Sequence, residues 1–163
     1  MKELLPENLK FRTATNHDIP EIVALVKKCL EELNLIYSPD SSESDLQDIE
    51  ATYLNYGGAF EIIQTKDAKI IATIALLRIN PGTAKLRKMY VAKDYRGLGL
   101  GRLLLGKILE NAIYLGYHEI LLETVQTMKA AIHLYESIGF RRVNQAMAMS
   151  PRCDIVMKKS ILP

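Results

Sequence analysis

Tyr95-Arg96-Gly97-Leu98-Gly99-Leu100-Gly101-Arg102 runs without a break into Leu103-Leu104-Leu105-Gly106-Lys107-Ile108-Leu109, so a glycine loop opens directly into an apolar helix. Three alternate glycines leave backbone N–H groups unshielded, and the first helical turn leaves more of them without intrahelical partners. The helix dipole adds partial positive charge at the same end, which makes the stretch an anion cradle with a phosphate-bearing cofactor as its natural occupant. Spacing removes two familiar phosphate motifs. The dinucleotide pattern G-x-G-x-x-G requires a third glycine at 102 or 104, where this chain has Arg102 and Leu104. Gly101 to Lys107 spells G-x-x-x-x-G-K, but Ile108 follows where a magnesium-holding Ser or Thr is needed, and the stretch lies inside a leucine-rich helix that cannot wrap a phosphate.

What fits is R-x-x-G-x-G, carried by Arg96, Gly99 and Gly101, with Met89-Tyr90-Val91 at the end of a strand just upstream. This resembles the acyl-CoA loop of the GNAT superfamily of N-acetyltransferases. Downstream, Ala130-Ala131-Ile132-His133-Leu134-Tyr135-Glu136-Ser137-Ile138-Gly139-Phe140 is similar to that superfamily's second signature, a helix ending in L-Y-E-x-x-G-F. The two motifs anchor residues 84 to 140, and a weaker pattern of elements extends the likeness from about Leu9 to Lys159. The resemblance implies an α/β (α+β) fold in a single domain over 1–163. Its central sheet is mixed and mostly antiparallel, with about seven strands flanked by about four helices and a splay between the fourth and fifth strands. It also implies acetyl-CoA as cosubstrate, with no metal, contacted by Met89, Tyr90, Val91, Arg96, Gly97, Leu98, Gly99, Leu100, Gly101 and Arg102.

Composition agrees. At 163 residues and 48% hydrophobic, the chain is long enough for one sizeable core and too short for two ordinary domains. No apolar run opens the chain or is long enough to span a bilayer, which predicts a soluble, cytoplasmic protein without a membrane partner. Cys29 and Cys153 lie far apart without His or Cys neighbours at metal spacing, as expected of buried reduced thiols. A net charge of +2 argues against a general nucleic-acid binder. The charge is uneven, however. Seven basic residues, Lys85, Arg87, Lys88, Lys93, Arg96, Arg102 and Lys107, stand against the single acid Asp94 between Thr83 and Lys107, which suits a cofactor bearing a pyrophosphate and a 3′-phosphate. Conversely Asp40, Glu43, Asp45, Asp48 and Glu50 fall within eleven residues that contain no Lys or Arg. Pointing inward, these acids would attract a cationic amine; on a helix that buries Leu46, Ile49 and Tyr53, most of them would be solvated.

Periodicity predicts a first strand at Leu9 to Thr13 and a helix at Asp18 to Leu33 with the stripe Ile19, Ile22, Val23, Val26, Leu30 and Leu33. Ser44-Asp45-Leu46-Gln47 has capping-box spacing for a second helix running to about Tyr53 and ended by Gly57-Gly58. Three hairpin-connected strands follow at Ala59 to Thr65, Lys69 to Ile79 and 84 to 91. The helix opened by the glycine loop ends near Gly116, and Glu119 to Thr124 is the fifth strand. Met128 to Ile138 is the fourth helix, Arg141 to Ala146 the sixth strand and Arg152 to Lys158 the seventh. In the fourth strand Ala84 and Leu86 share one parity while Met89 and Val91 share the other; a β-bulge near 87 and 88 would bring all four to one face.

Within the fourth helix Ala131, Leu134, Tyr135 and Ile138 form the inward stripe. An aromatic on such a stripe is ordinarily core. The resemblance makes Tyr135 the general acid instead. Attack of an amine on an acetyl thioester gives a tetrahedral intermediate that must expel a thiolate, and a phenol of pKa about 10 can protonate a thiolate whose conjugate acid is about 8.5. The oxyanion donor maps to the backbone N–H of Met89 or its immediate neighbours. Two departures from the family pattern stand out: Met128 replaces an asparagine seven residues before the tyrosine, and Lys85 occupies a position where many members carry a basic carboxylate. Glu61, Glu123 and Asp94 remain as candidate bases, and His133 falls on the outer helix face with Lys129 and Glu136. The expected function is direct acetyl transfer from acetyl-CoA to the primary amine of a small molecule in a ternary complex. A protein or peptide amine as acceptor and a non-catalytic acyl-CoA sensor are the alternatives, a homodimer is compatible with each, and the acceptor loops lie at about 34–44 and 146–152.

Overall fold

The computed structural model describes residues 4–144 and 150–161. Segments rich in Ile, Leu, Val and Thr, separated by short polar turns, form strands because branched side chains pack well on a pleated surface. They are β1 (Leu9–Thr13), β2 (Ala59–Thr65), β3 (Ile70–Asn80), β4 (Thr83–Val91), β5 (Glu119–Thr124), β6 (Arg141–Val143) and β7 (Ile155–Ser160). All seven join one sheet in the order β1-β2-β3-β4-β5-β7-β6. Neighbours are antiparallel except β4 and β5, which run parallel. The helices are α1 (Ile19–Glu32), α2 (Ile49–Thr52), α3 (Leu100–Tyr114) and α4 (Lys129–Ile138). Helices α3 and α4 bury their apolar stripes on one face of the sheet, and α1 and α2 bury theirs on the other. No helix among the described residues is long and apolar enough to cross a membrane.

The expected splay is present. β4 and β5 pair only over Thr83↔Glu119, Ala84↔Ile120 and Lys85↔Leu121, after which the two strands diverge. The expected bulge lies at the point of divergence. Tyr90 faces Thr73 and Arg87 faces Ala75, so Lys88 and Met89 together oppose the single residue Ile74. Lys88 takes up the extra length with φ 53°, and its carbonyl accepts from Thr73 Oγ1 at 2.6 Å. As expected, Ala84, Leu86, Met89 and Val91 all pack into the core beneath α3 and α4. The residues between them, Arg87 and Lys88, are thereby turned together towards the opposite side, where α1 and the segment around Asp45 lie.

Several expectations need correction. The single helix from Ser44 to Tyr53 does not form: Ser44–Gln47 is a 3-10 turn, Asp48 is extended, and α2 starts at Ile49. The break comes from Asp48, whose side chain accepts from Ala51 N at 2.9 Å and so caps a new helix instead of continuing the old one. Leu46, Ile49 and Tyr53 are nevertheless all buried. β7 begins at Ile155 rather than Arg152, because Asp154 is tied to the end of β5 and the turn after it (Asp154 N to Thr124 O, 3.2 Å; Gln126 N to Asp154 Oδ1, 2.9 Å). β6 stops at Val143; the remainder of its expected span, 145–146, falls outside the described residues, as does 146–149 of the second acceptor loop. Cys29 is buried as expected, whereas Cys153 is half-buried, and Ile132 joins the inward stripe of α4.

Candidate active site

The loop before α3 holds Gly97 and Gly99 at φ 78°, a left-handed conformation that favours glycine, and Gly99 is the N-cap. The helical ladder starts with Leu103 N donating to Gly99 O (3.2 Å), so the amides ahead of it belong to the turn that a helix leaves without internal partners. Gly101 serves a different purpose. A Cβ there would lie 3.0 Å from Leu134 Cδ2 and 3.4 Å from Met89 Cε, so its lack of a side chain lets α3 approach α4 and β4. Arg96 ties the loop to α1: its Nη1 pairs with Glu32 (2.6 Å), its Nη2 reaches Cys29 Sγ (3.7 Å) and its Nε donates to Val91 O (2.9 Å).

A cavity of about 550 Å³ opens where this loop, the C-terminal end of α1 and the start of α4 surround the splayed end of β4. Met89, Tyr90, Val91, Arg96, Gly97, Gly99, Leu100, Gly101 and Arg102 all line it. Of the loop residues expected there, Leu98 is the exception: it is exposed and lies outside the lining. The walls are mainly apolar, and the polar lining combines the glycine-loop backbone with the side chains of Arg96, Arg102 and Lys129. Such a site suits a long flexible arm ending in phosphates.

Earlier along β4 a second cavity, of about 410 Å³, is lined by Ser41–Glu43, the C-terminal end of β3, residues 85–88 and Tyr90 of β4, Glu123, and Ser150–Cys153. A narrow space of about 140 Å³ joins the two. It shares Met89 and Met128 with the first cavity and Lys88, Glu123 and Cys153 with the second; Tyr90 lines all three. Tyr135 lines this throat. Its hydroxyl donates to Met89 Sδ at 3.6 Å, a weak acceptor that a better one can displace, and burial pushes its pKa up to about 12. The group therefore stays a protonated donor across the working pH range.

The second cavity is held together by ion pairs. Glu43, only 2% exposed, accepts from Arg152 Nη2 through both oxygens (3.0 and 3.2 Å) and from Ser38 N (2.6 Å). Asp45, also buried, accepts from the Tyr53 hydroxyl and is met by Lys88 Nζ at 3.1 Å and Arg87 Nη1 at 3.7 Å. Arg87 Nη2 and Lys88 Nζ both donate to Ser42 O (2.9 and 3.3 Å). Burial lowers the Lys88 ammonium to about 8 against the opposing pull of Asp45. Lys85 pairs with Glu123 at 3.0 Å. The expected acidic patch is thus divided. Asp40 is exposed and Asp48 is a cap, while Glu43 and Asp45 point inward and are neutralised. Among the three candidate bases, Glu61 is held by Asn111 Nδ2 (3.0 Å) and Thr13 Oγ1 (3.4 Å) away from the cavities, and Asp94 is exposed; Glu123 lines both the throat and the second cavity.

Sequence reasoning reached the glycine loop and Tyr135 but missed Arg87, Lys88 and Arg152 as cavity walls. The parity switch in β4 was a usable signal for the first two, because a bulge turns two consecutive residues to one side.

Known proteins carry the same frame. The family model described as the acetyltransferase (GNAT) family matches residues 26–140. An uncharacterized N-acetyltransferase of Escherichia coli, YjgM, is 24% identical over 159 residues, covering 94% of this chain and 95% of that protein. N-acetylaspartate synthetase of Danio rerio is 32% identical over 112 residues, which is 68% of this chain and 40% of that longer protein. A crystal structure of a GNAT-family acetyltransferase from Staphylococcus aureus superposes with a TM-score of 0.86 at 25% identity, covering 94% of this chain and 99% of the other. With the family model spanning most of its length and the splayed sheet, glycine loop and L-Y-E-x-x-G-F helix in place, the chain belongs to the acetyltransferase (GNAT) family.

Proposed function

We propose that the chain transfers the acetyl group of acetyl-CoA directly to the primary amine of a small molecule, with both substrates bound at once. The observation that carries this reading is the throat at Tyr135, a narrow passage joining an apolar, amide-ended cavity to a polar one across the splay. Two cavities meeting at one donor suit a ternary complex, because each reactant has its own room and only the reacting ends need share the throat.

Acetyl-CoA supplies an activated thioester, and the remaining work falls to the chain. The left-handed glycines and the start of α3 present backbone amides to phosphate oxygens, and Arg102 lines the same end. Met89 and Lys88 have no partner in the β3 register, which favours the Met89 N–H as a donor to a carbonyl oxygen in the throat. Tyr135 is the hydroxyl that protonates the departing thiolate, with a pKa of about 12 keeping it in the acid form. Neither thiol is suited to carrying the acetyl group: burial raises both Cys29 and Cys153 above the ordinary value.

The test is acetyl-CoA-dependent thiol release with a panel of amines, peptides and proteins. Turnover of small amines supports the reading. Acetylation confined to peptides or proteins moves the acceptor to that class, and acetyl-CoA binding without any acetylation leaves a sensor.

A further inference from the structure

The second cavity has the wrong sign for a simple cation. Four basic side chains, Lys85, Arg87, Lys88 and Arg152, stand on its described lining against two acidic ones, Glu43 and Glu123. Counting Asp45 behind the wall still leaves the basic side one ahead. The acids are also already engaged. Glu43 is held by Arg152 and Ser38 N, Glu123 by Lys85, and Asp45 by Tyr53, Lys88 and Arg87. An incoming ammonium would have to displace a buried partner to reach any of them, leaving a charge stranded.

The cations are differently placed. A guanidinium has five N–H donors in a planar fork. Among the described residues, Arg152 engages only Nη2, on Glu43, and Arg87 engages Nη2 on Ser42 O and Nη1 on Asp45, which leaves donors on each for an anion in the cavity. Both side chains are about a fifth to a quarter exposed, 20% for Arg152 and 24% for Arg87, while their carboxylate partners are almost wholly buried. The buried acids hold the forks in place, and the forks face the solvent-filled space.

We propose that the acceptor is a small amine that also bears an anionic group, a carboxylate or a phosphate ester, gripped by Arg87, Lys88 and Arg152. The assignment rests on the acetyl-transfer reading and narrows its acceptor. It also bears on the missing base. A cationic wall disfavours the ammonium form of a bound amine, so the anion anchors the molecule while the surrounding charge favours the free base that attacks. A polyamine or an unmodified lysine side chain would meet repulsion at both steps.

The decisive measurement is steady-state acetylation of matched pairs: amino acids against their carboxamides, and amino-sugar phosphates against the unphosphorylated sugars, with a polyamine alongside. A carboxamide has the less basic amine and more of the free base at neutral pH, so chemistry alone would favour it. We expect the anionic member of the productive pair to win in kcat/KM by about tenfold or more, mostly through KM, with the advantage shrinking in high salt. Whichever pair shows the larger ratio identifies the anion. In Arg152→Gln, checked for native near-ultraviolet dichroism because Glu43 loses its partner, that ratio should fall about tenfold while the KM for acetyl-CoA holds. Equal rates within each pair, or a preference for the polyamine, would overturn the assignment and leave acetyl transfer standing. Acetyl-CoA binding with no amine acetylated would instead remove the transferase reading, and the assignment with it.

Discussion

The two cavities that share Tyr90 of β4 are built by opposite means. The glycine-loop side is mainly apolar, and most of its loop lining comes from one contiguous segment, 96–102, joined by the side chains of Glu32 and Lys129. The other side is polar, and its character comes from side chains brought together across great sequence distance, as in the Glu43–Arg152 pair, 109 residues apart. A backbone-built site tolerates side-chain change but not change in chain path, whereas a site built from paired charges is sensitive to every partner. The difference teaches where specificity can vary within such a fold. On the functions proposed above, the shared cosubstrate would be met by the chain path, and the individual acceptor by the pairs.

The strongest way to break the contrast is at the glycines. Replacing Gly99 with Val imposes a β-branched residue on φ 78°, and replacing Gly101 with Leu drives atoms into Leu134 and Met89. The double variant should lose acetyl-CoA affinity by about a hundredfold or more in isothermal titration. Unchanged affinity in a folded double variant would remove the cradle. Next in size is Tyr135→Phe, expected to lower turnover by roughly ten- to a thousandfold with acetyl-CoA affinity held within about twofold. A phenylalanine form that matches the wild-type rate would make Tyr135 core and nothing more.

On the side of paired charges, Asp45→Asn should cost about 3 kcal/mol in denaturant unfolding, because it leaves Lys88 buried without its carboxylate. Asp40→Asn, at an exposed position, should cost almost nothing. Similar losses for both would mean that the inward pairs are not what holds this wall. The smallest expected effect is on pH. Lys88 is charged below about 8 and neutral above it, with Asp45, Glu43 and Arg87 facing it. Expressed per free-base amine, so that the different amine basicities of acid and carboxamide cancel, the acid-to-carboxamide ratio in kcat/KM should therefore fall about two- to threefold between pH 7 and 9, and should stay level in Lys88→Arg. A ratio that is flat in the wild type would show that Lys88 does not contribute to the grip.

Legibility in the sequence follows the same division. The glycine loop, the strands β1, β2 and β5 and even the bulge at Lys88 were readable because each rests on local spacing or parity, while the splay followed from the family resemblance that the two motifs carry. The second cavity was not. Nothing near Glu43 in the chain says that it will meet Arg152, and the eleven-residue acidic run read as a potential lure for cations when its two inward members are silenced by pairing. The broken helix at Asp48 has the same origin. A capping-box spacing at Ser44 describes the local options, but turning Glu43 and Asp45 towards partners on other elements required a path that a continuous helix would not follow.

Lys88 is a residue that the core does not need. With it deleted, Met89 would fall opposite Ile74, Tyr90 would keep Thr73 and Val91 would keep Ala72; Ala84, Leu86, Met89 and Val91 would then alternate as in any regular strand, with no side chain changing sides. The extra position therefore adds nothing to hydrophobic burial. It inserts a stutter at the point where β4 leaves β5, freeing one stretch of backbone from its ladder and setting a second cation beside Arg87. Subtraction of a single residue would heal the sheet and erase the workplace, so at this point of the strand architecture and chemistry are separable by one codon.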